Sequence, residues 1–206
     1  MSTRLAQDFF AQDTISVARH LLGQRLVHRL GDGTRLSGRI IETEAYLGVA
    51  DPAAHSFGDR RTPRTEVMFG RAGLSYVYFI YGMHFCLNVV TGAEKIPEAV
   101  LLRALDPIEG IEHMKTQKAQ KSIHHLANGP GKLCAAMKLN RSHNGIDFVH
   151  SEILWLEKDG AAADVDIVEG PRVGIGQIHD AVHWPLRYGL KNHPALSPPK
   201  FPNYLE

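Results

Sequence analysis

Apolar and polar positions alternate through Arg39-Ile40-Ile41-Glu42-Thr43-Glu44-Ala45-Tyr46, and the β-branched pair Ile40-Ile41 supports reading this segment as a strand. Side chains on a strand repeat every second residue, so Glu42, Glu44 and Tyr46 fall on one face. The same strand runs from Thr34 to Ala45 and pairs with Gln24–Leu30 across the turn Gly31-Asp32-Gly33. Before it, Asp13 reads as the N-cap of a helix over 14–22 that Gly23 ends. Residues 50–61 carry no periodicity. Thr62-Pro63 reads as an N-cap followed by proline at the first helical position, opening a short helix through Met68. Leu74–Tyr81 and Met83–Val90 read as a hairpin with Gly82 at its tip, and Ala99–Ala104 as a short apolar strand.

Asp106-Pro107-Ile108-Glu109 resembles a capping box, which predicts a helix to about Lys118. Gly129-Pro130-Gly131 precedes a helix over 132–137, and strands follow at 153–156 and 172–175. The proline-rich tail after Lys191 is expected to wrap the surface. Strands and helices mix without a βαβ alternation. The expected fold class is therefore α+β, with a curved, mainly antiparallel sheet and flanking helices.

The 206 residues and 44% hydrophobic content suffice for one packed domain spanning 1–206. Lys+Arg 23 against Asp+Glu 22 gives a net charge of +1, so only a local basic patch would argue for nucleic acid. Cys86 and Cys134 are too few and too far apart for a disulfide framework or a cysteine-rich zinc site. No segment has the length of a transmembrane helix or the apolar core of a signal peptide, so the expectation is a cytoplasmic protein without a membrane partner.

Two carboxylates and a phenol on one face, followed by Ala53-Ala54-His55-Ser56 and the run Tyr76-Val77-Tyr78-Phe79-Ile80-Tyr81-Gly82, suggest a pocket for a flat heterocycle with a carboxylate that activates water. The bland alternative for Glu44 is a solvated strand face, but Tyr46 and His55 nearby argue against it. Tyr76 and Tyr78 share a face, and Tyr81 beside Gly82 falls at a hairpin tip with little core to enter. Arg60, Arg61 and Arg64 flank the Thr62 helix start, where free N–H groups suit phosphate. Lys115, Lys118 and Lys121 read as a plain helix surface.

Gly129-Pro130-Gly131-Lys132 lacks phosphate-loop spacing and continues with Leu133, which excludes a nucleoside triphosphate loop. His179 and His183 have helical metal-ligand spacing but no third ligand nearby. Val173-Gly174-Ile175-Gly176 lacks a dinucleotide fingerprint and suits close backbone approach to a pocket.

Glu42-Thr43-Glu44-Ala45-Tyr46, Ala53-Ala54-His55-Ser56, Thr62-Pro63-Arg64, Tyr76 to Met83, Phe85-Cys86-Leu87-Asn88, Val100 to Ala104, Gly129 to Leu133 and Arg172 to Gly176 together resemble the alkyladenine (3-methyladenine) DNA glycosylase family, in order and over nearly the whole chain. The resemblance implies a DNA repair enzyme of one α+β domain, without metal or cofactor, that inserts a protruding β-hairpin into the minor groove. Its partner would be double-stranded DNA containing a damaged purine, bound by a monomer, in the cytoplasm and at the nucleoid if the source is bacterial. Glu44 would activate water, with Arg103 and the carbonyl of Val173 helping to hold it. Tyr46 would stack on one face of the flipped base, with His55 and Tyr78 on the other. Asn88 would line the pocket and reject guanine's amino group. Tyr81 would fill the gap in the duplex, and Arg60, Thr62 and Arg64 would contact phosphates. The chain departs from the family pattern at His84, where the family carries tyrosine, which bears on hairpin contacts alone.

Base extrusion from a duplex costs a few kcal/mol, and an alkylated purine is a cationic leaving group attracted to aromatic faces by about 0.5–2 kcal/mol each. No lysine lies in the Glu44-Tyr46 motif, so simple hydrolysis to an abasic site is expected, without strand cleavage. Two rival classes remain: a non-catalytic damaged-DNA or RNA-binding module with the same aromatic pocket, and a metallohydrolase built on His55, His179 and His183. Glu44 separates the first from the enzyme, since a binder needs no carboxylate beside a cationic sugar. Sensitivity to chelator separates the second.

Overall fold

The computed structural model describes residues 3–115, 122–159, 166–176 and 179–201. Among the described residues eight strands form one sheet: β1 (Arg25–Arg29), β2 (Arg35–Tyr46), β3 (Ser75–Ile80), β4 (His84–Thr91), β5 (Glu98–Glu109), β6 (Leu154–Glu157), β7 (Ile167–Gly170) and β8 (Arg187–Leu190). Their order is β3-β4-β5-β2-β1-β6, with β8 joining both β2 and β7. Every ladder is antiparallel. The α-helices are short: α1 (Gln7–Phe10), α2 (Thr14–His20), α3 (Ile111–Met114) and α4 (Pro130–Ala136). This is the expected α+β class.

The central strand is β2. One edge pairs with β5; the other pairs with β1 over its first half and with β8 over Glu42, Thr43 and Glu44. Flanked on both edges, β2 is buried along most of its length. Helix α2 packs on β2, and α4 packs across β4 and β5. The Asp13 cap is present, its carboxylate accepting from the Ser16 amide at 2.9 Å. Val17, Ala18, Leu21 and Leu22 enter the same core as Ile40, Ile41, Leu102 and Leu133.

The β2–β5 ladder carries two offset bulges that cancel. Ile40 pairs with Leu105 and Glu42 with Ala104, which leaves Ile41 extra on β2; Thr43 then pairs with Leu102, which leaves Arg103 extra on β5. The flanking pairs Ile40–Leu105 and Thr43–Leu102 share one register, in which Arg103 falls opposite Glu42, and its contacts keep Arg103 with Glu42 and Glu44.

Four sequence expectations change. Asp106-Pro107-Ile108-Glu109 is the end of β5, not a helix cap: Asp106 faces Arg39, Pro107 faces Gly38 and Glu109 faces Ser37. The register shift there accommodates a proline without an N–H. The helix that follows is only α3, started by Gly110 at φ 71; Lys118 and Lys121 lie outside the described residues. Thr62-Pro63 opens a turn, and regular structure begins only with a 3-10 turn over Glu66–Phe69. There Thr62 and Thr65 satisfy each other, the Thr62 amide donating to the Thr65 hydroxyl at 2.9 Å and the Thr65 amide to the Thr62 hydroxyl at 3.3 Å. These amides are therefore not free for an anion. Residues 172–175 are irregular, because Arg172 and the Val173 amide are drawn to buried carboxylates. The tail does not simply wrap the surface: Ala195, Ser197 and Phe201 are buried, behind the unforeseen β8.

Gly189 of β8 shows how closely that tail packs. A Cβ there would lie 2.9 Å from both Leu196 Cδ2 and Phe201 Cε2. Gly189→Ala is therefore expected to destabilise by about 1–3 kcal/mol, as overpacking does. Urea unfolding measures it, and an unchanged midpoint would contradict the packing described.

Candidate functional site

Glu44 is fully buried among donors. Its Oε1 takes the Val173 amide at 2.7 Å and lies 3.1 Å from Arg103 Nη1, and its Oε2 takes the Tyr46 hydroxyl at 2.9 Å. The Tyr46 contact is the i, i+2 pair that strand alternation predicts. Arg103 also donates from Nε to Glu42 at 2.8 Å. Glu42 Oε1 receives Arg187 Nε at 2.7 Å as well. Two carboxylates and two guanidinium groups thus form one buried cluster of balanced charge. Burial opposes the Arg103 cation, but Glu44 and Glu42 outweigh it and hold its pKa above the usual value.

A second buried pair brings Val173 into place. Arg172 grips Asp51 through both terminal nitrogens and donates to the Ala45 carbonyl at 3.0 Å. Asp51 also accepts the Leu47 and Ala53 amides at 3.0 Å each, which shapes the loop after β2. The Arg172 guanidinium lies 4.7 Å from the centre of the Tyr46 ring. Burial first, and then Glu44, raise the Tyr46 pKa well above its ordinary value, so this hydroxyl remains a proton donor.

In front of Tyr46 lies a cavity of about 450 Å³. Its walls include Tyr46, His55, Tyr76, Tyr78 and Asn88, with Arg60, Thr62 and Arg64 around it. Tyr76 and Tyr78 stand side by side on β3, 5.3 Å between ring centres. His55 meets Tyr78 edge-on at 4.6 Å. Its Nδ1 lies 2.8 Å from the Tyr76 hydroxyl, and Arg64 donates to its Nε2 at 3.2 Å. An accepting Nε2 assigns the proton of the neutral ring to Nδ1. Asn88 donates to the Tyr76 carbonyl at 3.0 Å. Arg64 also lies over the Tyr78 ring at 4.9 Å. Burial pushes the Tyr76 hydroxyl up to about 12 and raises Tyr78 further.

The structure thus gathers Tyr46, His55, Tyr78, Asn88, Arg60, Thr62 and Arg64 around one cavity. Glu44, Arg103 and Val173 sit together one layer behind it; Tyr46 and Gly174 are their neighbours on the wall. The contact that links Val173 to Glu44 runs through its amide. Tyr81 stands apart, at the turn between β3 and β4, and is 74% exposed. Sequence reasoning missed Asp51, Arg187 and Ser197. A lone arginine inside Leu186-Arg187-Tyr188-Gly189-Leu190 was the available signal, since an apolar run holds a charge only when a partner waits. Among the described residues no group of three or more histidines, cysteines or carboxylates is arranged to hold a metal, and no helix is long and apolar enough to cross a membrane.

His55 gives a pH signature. Burial, then Arg64 and Arg60, lower its pKa from 6.5 to about 4. The folded state keeps the ring neutral while the unfolded chain protonates, so its contribution to stability is present above pH 6.5 and is lost as pH falls toward 4. His55→Gln should therefore lose less stability than wild type between pH 7 and pH 5. Urea midpoints at the two pH values test this, and an equal loss in both proteins would show that His55 is not held neutral.

The sequence profile of the family described as Methylpurine-DNA glycosylase (MPG) matches residues 8–194. A relative from Clostridium acetobutylicum is 45% identical over 202 residues, covering 94% of this chain and 97% of the relative. One from Desulfitobacterium hafniense is 45% identical over 202 residues, covering 94% of this chain and 98% of its own length. One from Bacillus cytotoxicus is 44% identical over 198 residues, covering 92% and 97%. Each bears the name "Putative 3-methyladenine DNA glycosylase". With matches of this extent, the chain belongs to the methylpurine-DNA glycosylase family.

Proposed function

We propose that this member of a DNA glycosylase family extrudes a damaged purine, alkylated or deaminated, from duplex DNA and hydrolyses its N-glycosidic bond with a water activated by Glu44. The observation that carries the reading is an aromatic cavity whose wall, Tyr46, is hydrogen-bonded to a buried carboxylate. A carboxylate offers about four lone-pair positions. Arg103, Val173 and Tyr46 meet three, which leaves one for a water.

The bond from C1′ to the base nitrogen breaks, and its electron pair leaves with the base. The water oxygen bonds to C1′ as Glu44 takes its proton, and the product is an abasic sugar. The carboxylate also faces the cation that develops on the sugar. Arg103 orients Glu44, and the Val173 carbonyl helps hold the water. Tyr46 covers one face of the base, and His55 and Tyr78 cover the other. Asn88 discriminates against guanine. Among the described residues no lysine lines the cavity, which supports a monofunctional enzyme that leaves the strand intact. The whole chain acts as a single domain and a monomer on double-stranded DNA, in the cytoplasm or at the nucleoid. Substrates on this reading include 3-methyladenine, 7-methylguanine, hypoxanthine and ethenoadenine.

Tyr81 fills the space of the extruded nucleotide. It lies in the three-residue loop between the paired Ile80 and His84, with Tyr81 and Gly82 both at positive φ (54 and 68), the combination a type I′ turn requires. A bulky residue there costs about 1–2 kcal/mol, and strain in an exposed aromatic supports a role outside the core. Arg60, Thr62 and Arg64 at the cavity mouth contact the flanking phosphates.

Duplexes that each carry one lesion test the activity. Glu44→Gln should keep lesion binding while the single-turnover rate of base release falls roughly 10²-fold or more, as loss of a general base does. Near-normal release would sink the assignment. Tyr81→Ser should lower the flipped population, read from a fluorescent base at the lesion, while stability changes by no more than about 0.5 kcal/mol, as at other exposed positions. Early melting with normal flipping would make Tyr81 a packing residue.

A further inference from the structure

Ser197 lies past the stretch matched to the family, 8–194, yet it is 1% exposed and reaches the centre of the buried charge cluster. Its hydroxyl donates to Glu42 Oε1 at 2.8 Å and accepts from Arg103 Nη2 at 3.1 Å. Its amide donates to Glu42 Oε2 at 2.6 Å, and its carbonyl accepts from Arg187 Nη2 at 2.9 Å. One serine therefore touches three of the four charged members of the cluster and leaves only Glu44 untouched.

Arg103 explains why that matters. A guanidinium is planar and rigid, so fixing two of its nitrogens fixes the direction of the third. Nε is held by Glu42 and Nη2 by Ser197, and Nη1 is the nitrogen that meets Glu44 at 3.1 Å. Its place in the β2–β5 ladder puts Arg103 on the correct face but does not set the rotation of its plane. The Ser197 hydroxyl is the second point that does.

We propose that Ser197 is a positioning residue for base release: its hydroxyl sets the plane of Arg103 and thereby the orientation of Glu44. The proposal rests on the reading of Glu44 as the group that activates water. Without the hydroxyl, Glu42 keeps the Ser197 amide and the Nε donors of Arg103 and Arg187, so the charges remain paired while Arg103 gains freedom to rotate. The loss falls on chemistry and leaves lesion affinity intact, because the groups that Ser197 hydrogen-bonds, Glu42, Arg103 and Arg187, do not line the cavity.

The test uses Ser197→Ala and Ser197→Thr in the full chain, with a duplex carrying one hypoxanthine and enzyme in excess. The rate of base release should fall about 10-fold in the alanine variant, the scale on which partners behind a functional group act. Its Kd for the same duplex should stay within about twofold of wild type, the separation expected when an interaction serves only the transition state. Threonine, which keeps the hydroxyl, should restore most of the rate. Release at the wild-type rate by the alanine variant overturns the proposal. So does a parallel loss of rate and affinity that threonine fails to restore, since that is the mark of a purely structural role. Absence of release by the wild-type protein from duplexes carrying each of the four proposed lesions in turn would instead overturn the reading of Glu44, and this proposal with it.

Discussion

Arg103 answers to two carboxylates at once, Glu42 at 2.8 Å and Glu44 at 3.1 Å, and all three side chains are withdrawn from water. Arg187 balances the second negative charge. Burying four charges is tolerable only when each finds its partner, and removal of one leaves an uncompensated charge that costs about 3–5 kcal/mol. The cluster therefore constrains more than its own members. Glu42 and Glu44 belong to β2, Arg103 to β5, Arg187 to β8 and Ser197 to the tail, so all four segments must dock correctly before any charge is satisfied. The same requirement fixes Glu44 rigidly, which the proposed positioning of one water would need.

Cross-strand register makes the cluster possible. The pairs on both sides of the irregularity, Ile40–Leu105 and Thr43–Leu102, define one register in which Arg103 falls opposite Glu42 while Leu101 stands opposite Glu44, so Arg103 shares the face of both carboxylates. The paired bulges at Ile41 and Arg103 shift Glu42 locally to Ala104, and the ladder returns to register on both sides. On the other edge Arg187 stands opposite Glu44 in the β2–β8 ladder and reaches Glu42 on the diagonal.

What the sequence reveals and hides follows from these facts. Alternation alone places Glu42, Glu44 and Tyr46 together, and the Tyr76–Tyr78 pair likewise, because the period of a strand is local. Tyr81-Gly82 announces its turn because few residues tolerate positive φ in succession. Which strand pairs with β2, and in what register, is a long-range fact, so the meeting of Arg103 with the two carboxylates is legible through family resemblance and not through periodicity. Asp106-Pro107-Ile108-Glu109 misleads as a cap because its polar residues pair across strands with Arg39 and Ser37, a long-range fact. Prolines make the tail resemble a surface wrap, although the polar side chain among them, Ser197, is the one that binds the buried charges. Arg172–Ile175 reads as a strand from its apolar residues, but the side chain of Arg172 is committed to Asp51, 121 residues away in sequence.

The aromatic cavity invites the argument that electron-rich rings select cationic purines. The charges around it weaken that argument. Arg172 already lies 4.7 Å from the Tyr46 ring centre, and Arg64 lies 4.9 Å from that of Tyr78. A ring that faces one guanidinium attracts a second cation less, since both draw on the same quadrupole. His55 is neutral near pH 7 and adds no negative charge. On the proposed reading, then, stacking area and shape hold the base, and the positive charge of an alkylated purine acts mainly by weakening its bond to the sugar. Neutral and cationic lesions would enter with similar affinity and differ chiefly in how readily the bond breaks. On the same reading the fixed element is the carboxylate behind the wall, and the wall admits flat rings that fit and that Asn88 does not reject.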